Sequence, residues 1–223
     1  MTRNFIEAKK RYLSVIEELS HIADIIKQAE RNGSDIQFDR KIFMCQFDSL
    51  LQYSLLEYAI NDDYLDYDEL AFIKDITKYA DFISYINSHY ENSITWDDIY
   101  HANETSIRDW LLRNRVYMDN IKEQFALSFA LVDGLDRDPD LIEHFTKDIF
   151  QIFAALARED GYVSSEEKQL TDNYISSVII EMYAAFRFIS EKVGEVNSGR
   201  NENSKPDSLK SLYQNKVKKT DQH

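Results

Sequence analysis

A chain of 223 residues that is 43% hydrophobic and 13% aromatic is long enough for a sizeable core and too apolar to stay unfolded. Its formal net charge of -14 argues against duplex nucleic acid as a partner of the folded body, because phosphate binding needs clustered Lys and Arg. Anionic membrane is disfavoured for the same reason, whereas basic proteins, basic peptides and cations are favoured, and the same acidity equally serves solubility.

Only 5 Gly and 2 Pro occur, and no alternating apolar pattern is sustained, so the fold class expected is all-α, with long helices and few turns. Residues 2–31 carry Phe5, Tyr12, Leu13, Ile16, Leu19, Ile22, Ala23 and Ile26 along one side of a charged helix. They keep no clean heptad, so the helix is expected to pack on the body rather than pair with a second subunit. A second helix is expected from Lys41 to Asn61, and a third, after a turn, from Asp66 to His89 or Tyr90. Thr95 is placed to cap a short helix bearing Trp96, Ile99 and Tyr100. Thr105 or Ser106 would cap the next, with Ile107, Trp110, Leu111 and Leu112. A further helix spans Tyr117 to Val132, with Asp133-Gly134 as its stop. In the acidic connector that follows, Asp138 can cap a helix, Pro139 can take its first position, and Asp140 and Glu143 complement its dipole. Ile149, Ile152, Phe153 and Leu156 then recur at helical steps.

One stretch occurs twice. Ala59-Ile60-Asn61-Asp62-Asp63-Tyr64-Leu65-Asp66-Tyr67-Asp68-Glu69 matches Ala157-Arg158-Glu159-Asp160-Gly161-Tyr162-Val163-Ser164-Ser165-Glu166-Glu167 at Ala, Asp, Tyr and the final Glu, with Leu65 against Val163. In each copy a helix ends, the chain turns, and Asp66 or Ser164 caps the next helix with Glu69 or Glu167 three residues on. The spacing also touches the EF-hand loop: Asp160, Gly161, Val163 and Glu167 fit its fifth, sixth, eighth and twelfth positions. Its first and third positions fall on Leu156 and Arg158, or on Tyr58 and Ile60 in the earlier copy, so no complete calcium loop is formed.

These paired segments resemble those of the TerB-like family, named for a tellurite-resistance protein, whose all-helical domain carries an A-x-x-D-G-x-[IV]-x-x-x-E segment in each half. The resemblance spans roughly Lys41 to Lys192, and the earlier copy departs from it at Asp63, where Gly is expected. It implies a compact bundle of two related helical hairpins, a non-catalytic role in stress-response and conflict systems, and acidic surfaces that hold metal ions. The chain is therefore divided into an N-terminal helix and connector at 1–40, a TerB-like domain at 41–194 and a flexible basic tail at 195–223. The tail holds six Lys and Arg against four Asp and Glu, about +2, which leaves the body near -16.

Catalytic constellations are thin. Cys45, the lone cysteine, lies in Phe43-Met44-Cys45-Gln46-Phe47, an apolar setting in which a thiol serves as a small hydrophobe; Lys41 is the nearest source of positive charge. The five His are scattered; His101 and Glu104 share a helical face but form no zinc site, and no Gly-rich phosphate loop occurs. Carboxylates at the two turns remain, and Asp62, Asp66, Glu69, Asp160 and Glu167 are the candidate ligands for a weakly bound calcium or magnesium ion. Tyr64, Tyr67, Tyr85, Tyr90 and Tyr100 lie near turns, where tyrosine suits an interface.

Met1 to Lys10 contains Arg3, Glu7, Lys9 and Lys10 and is unlike a signal peptide, and no uncharged apolar stretch approaches the ~20 residues of a membrane helix. A cytoplasmic location without membrane insertion is expected. The expected function is a non-enzymatic accessory module of a bacterial stress-response or defence system that binds a protein partner, its oligomeric state left open. The alternatives are a metal-dependent hydrolase using an acidic centre and a structural subunit of a larger assembly.

Overall fold

The computed structural model describes residues 2–32, 38–60, 65–89, 94–136 and 141–158, together with Gln169. Among them are seven helices and no strand: α1 Arg3–Arg31, α2 Arg40–Ala59, α3 Tyr67–Ile76, α4 Phe82–His89, α5 Trp96–His101, α6 Glu104–Asp136 and α7 Leu141–Leu156. The fold is an all-α bundle, as the composition and periodicity imply. The second copy of the repeated stretch, from Glu159 onward, lies outside the described residues, as do Asp138, Pro139 and the tail at 195–223.

The first helix starts where Thr2 accepts a hydrogen bond from the Phe5 amide, and it buries Phe5, Tyr12, Ile16, Leu19, Ile22 and Ile26. Leu13, expected on that side, is 43% exposed; Ala8 and Val15 take inward positions instead. This helix packs most extensively on α7 and also touches α6, α3 and α2. Polar ties fasten the α1–α7 seam. Arg11 pairs with the nearly buried Asp148 at 3.2 Å, and Asn4 Nδ2 donates to the Arg158 carbonyl at 2.7 Å.

The second helix is the central rod. Asp39 caps it, accepting from the amides of Lys41 and Ile42, and it buries residues around its whole circumference rather than on one stripe. Phe47 and Tyr58 meet Phe145 and Phe153 of α7 edge-on, and Tyr53 meets Phe82 of α4. A fully buried aliphatic or aromatic side chain contributes about 1.5–3 kcal/mol, so this helix anchors much of the core.

Three boundaries differ from the periodicity. The helix expected to run unbroken to His89 or Tyr90 is split at residues 77–81 into α3 and α4. The break is made by side chains of α2, described below. The two helices expected on either side of 113–116 are one, α6, and it passes through Asp133-Gly134 to Asp136. Gly permits a helix stop without imposing one, and no proline intervenes before Pro139. Finally, α6 is capped not by Thr105 or Ser106 but by Asn103, whose Oδ1 accepts from the Ser106 amide at 2.9 Å and its hydroxyl at 3.0 Å. Asn103 thereby puts His101 and Glu104 on separate helices, so they do not share one helical face.

Candidate functional site

The earlier acid-lined turn can be followed on its helical side. Asp66 Oδ1 accepts from the Glu69 amide at 2.7 Å, and Glu69 Oε2 accepts from the Asp66 amide at 3.2 Å, which is the reciprocal capping box its spacing predicts. Of the five candidate metal ligands, Asp66 and Glu69 thus come together as a cap. Asp62, Asp160 and Glu167 lie outside the described residues. Among the described residues no group of three or more His, Cys, Asp or Glu is disposed to hold a metal ion.

Beside this cap stands an aromatic pair. Tyr67 opens α3 and is 66% exposed, and Tyr100 on α5 is 45% exposed. Their rings meet edge to face, with centroids 5.5 Å apart at 84°. Tyr100 also meets the His101 ring at 5.1 Å, and His101 Nε2 lies 3.6 Å from Asp97. The scaffold beneath is firm. Leu70, Trp96 and Ile99 are buried. Thr95 and Asp98 form a second capping box, and Trp96 Nε1 donates to Asp81 Oδ2 at 2.6 Å. The Thr95 hydroxyl and amide, both donating to Asp98, hold its carboxyl below the usual range. In the sequence, Asp66, Asp68 and Glu69 flank Tyr67, and Asp97, Asp98 and Glu104 flank Tyr100; no Lys or Arg falls in 65–73 or 94–107, and Lys74 and Arg108 follow directly.

A second polar centre lies inside the bundle, and its members were not singled out by the sequence. Asp48 of α2 is fully buried. Its Oδ2 accepts from the amides of Lys78 at 3.0 Å, Tyr79, and Ala80 at 3.1 Å, and its Oδ1 accepts from the Tyr12 hydroxyl at 2.9 Å. Four residues on, the buried Gln52 donates to the carbonyls of Ile73 and Lys74 and to the Thr77 hydroxyl, and accepts from the Phe82 amide at 2.6 Å. Lys9 of α1 closes the end of α3, donating to the carbonyls of Asp75, Ile76 and Thr77 at 2.9, 2.7 and 3.2 Å. These side chains take the place of the helical hydrogen bonds missing at 77–81, which is why the chain breaks there without Gly or Pro. Burial pushes the Asp48 carboxyl above its ordinary range, against the pull of the Tyr79 and Ala80 amides, the Tyr12 hydroxyl and the Lys78 amide. Burial likewise raises Tyr12, with Asp48 adding to it, and lowers Lys9 against the attraction of Asp48 and Asp75.

Cys45 is half-buried at the edge of this centre, its Sγ 3.6 Å from the Tyr79 carbonyl. Burial and Asp48 raise its thiol, and the opposing effect of Lys41 is smaller. The thiol is therefore held in its protonated, weakly nucleophilic form, in keeping with its apolar sequence setting.

The described body is thus an all-α scaffold whose interior carboxylate and amide brace a helix junction, and whose acidic surface displays two tyrosines. No protein-family model, curated protein or solved structure matches this chain.

Proposed function

We propose that this chain is a non-enzymatic accessory module, akin to the TerB-like domains, that binds a protein partner in the cytoplasm within a bacterial stress-response or defence system. On this reading its acid-lined turns hold calcium or magnesium only weakly. The observation that carries the proposal is the exposed Tyr67–Tyr100 pair, held on two rigidly capped helices. Tyrosine is enriched where proteins meet, because it supplies large contact area at small entropic loss together with a polar tip. Single apolar residues scattered on a surface are ordinary, but two rings this open in edge-to-face contact are a specific investment. The repeated Ala-x-x-Asp segments and the acidic balance support the kinship.

Reconstitution tests the proposal. Proteins co-purified from the native host are produced separately and mixed with the chain at micromolar concentration. A defined complex in sedimentation, lost on mixing with Tyr67→Ala/Tyr100→Ala protein or with another single-face variant, is expected. Failure of every purified candidate to form a complex of fixed stoichiometry would remove the proposal.

A further inference from the structure

We infer that the Tyr67–Tyr100 surface receives an arginine-bearing segment of the partner protein. The inference rests on the interaction-module reading and specifies the chemistry of what is bound.

Three observations converge on a cationic, planar side chain. First, the two rings meet edge to face at 84°, and both residues stay open to solvent, Tyr67 the more so. A ring face carries negative quadrupole density and attracts guanidinium or ammonium groups within about 6 Å of its centroid. Second, the residues next to the rings in the sequence are acidic. Asp66 caps α3 and Asp68 and Glu69 follow Tyr67, while Asp97 and Asp98 precede Tyr100 on α5; the first Lys and Arg beyond them are Lys74 and Arg108, the latter tied to the Ile60 carbonyl. His101 follows Tyr100, its Nε2 3.6 Å from Asp97. An acidic or neutral apolar segment would meet repulsion or unrewarded desolvation here, whereas a cation gains from both the rings and the carboxylates. Third, the platform is pre-formed. Both helix starts are held by reciprocal capping boxes, and Trp96 is tied to Asp81, so the backbone that carries the rings is set before binding. Arginine fits better than lysine, because its planar fork stacks on a ring while donating to a carboxylate.

The test is an anisotropy titration of the full chain with a labelled twelve-residue peptide alternating Arg with Gly and Ser, in about 150 mM salt so that long-range attraction is screened. The expected result is saturable binding. The Tyr67→Ala/Tyr100→Ala protein should bind about ten-fold more weakly with an unchanged circular dichroism spectrum. Tyr67→Phe/Tyr100→Phe should bind within about three-fold of the parent, since the ring faces remain. The same peptide with Gln in place of Arg should not bind. Equal affinity for the parent and the double Ala variant would overturn the inference, because binding would then follow net charge alone. So would an absence of binding to the Arg peptide. Concentration-dependent dimerisation of the parent that the double Ala variant loses would also overturn it, by giving the surface to a second copy of this chain. A native complex that forms undisturbed by either Tyr variant would sink this inference while leaving the interaction-module reading in place.

Discussion

Asp48 is the residue on which the local geometry turns. A carboxylate removed from water is tolerated only when its lone pairs are met, and here three amides and a phenol meet them. Asp48→Ala would leave the buried Tyr12 hydroxyl and three partly buried amides without this acceptor, and a loss of about 2–4 kcal/mol in denaturant melts is the expected outcome. Asp48→Asn keeps an acceptor for the amides and should lose roughly half as much. The pH dependence has a definite sign. Because the folded carboxyl sits above its ordinary value, the unfolded chain releases this proton first as pH rises. The contribution of Asp48 is fully present below about pH 4 and declines as pH climbs through the raised value. Stability of the parent relative to Asp48→Asn, measured in steps from pH 4 to 8, should therefore fall with rising pH. A gap that widens with pH would contradict this assignment of the proton.

The helices show why some boundaries are legible from sequence and others are not. Thr2, Asp39, Asp66 and Thr95 cap helices from within their own segment. The Asp66 and Thr95 caps could be read directly, as could the stripes of α1 and α7. The split between α3 and α4 has its cause on another helix. Asp48 and Gln52 lie one turn apart among the buried residues of α2, which calls for buried polar partners but does not say where those partners are. Asp81, which accepts from the amides of Ile83 and Ser84, was the local mark of the α4 start that periodicity passed over. The repeat marks the Asp66–Glu69 cap but carries no sign that Tyr67 and Tyr100, from separate helices, meet edge to face. Two substitutions probe these elements. Asp66→Ala removes one half of a capping box and should lower stability by about 1 kcal/mol. Gly134→Ala should raise stability by roughly 0.5 kcal/mol, because Gly134 lies within the last turn of α6 and not beyond it. A loss on Gly134→Ala would instead mark a left-handed stop.

Taken together, the bundle is an acidic body whose interior polar groups secure its shape and whose open tyrosines are free of that duty. The cation reading and the partner reading separate cleanly in solution. In the capping box expected from the Ser164–Glu167 spacing, Glu167→Gln would keep a hydrogen-bonding side chain and remove its charge, so a calcium- or magnesium-induced rise in Tm seen in the parent should vanish in this variant. An equal rise in both would take Glu167 out of the ligand set, and no rise in the parent at millimolar cation would remove the cation site. Partner binding should be indifferent to the same substitution if Tyr67 and Tyr100 form the contact. The most direct measurement follows their ring proton resonances by NMR during titration with the Arg peptide. Progressive, saturable shifts at both rings, absent with the Gln peptide, are expected. Saturation with those two rings unmoved would place the contact elsewhere and contradict the role given to this surface.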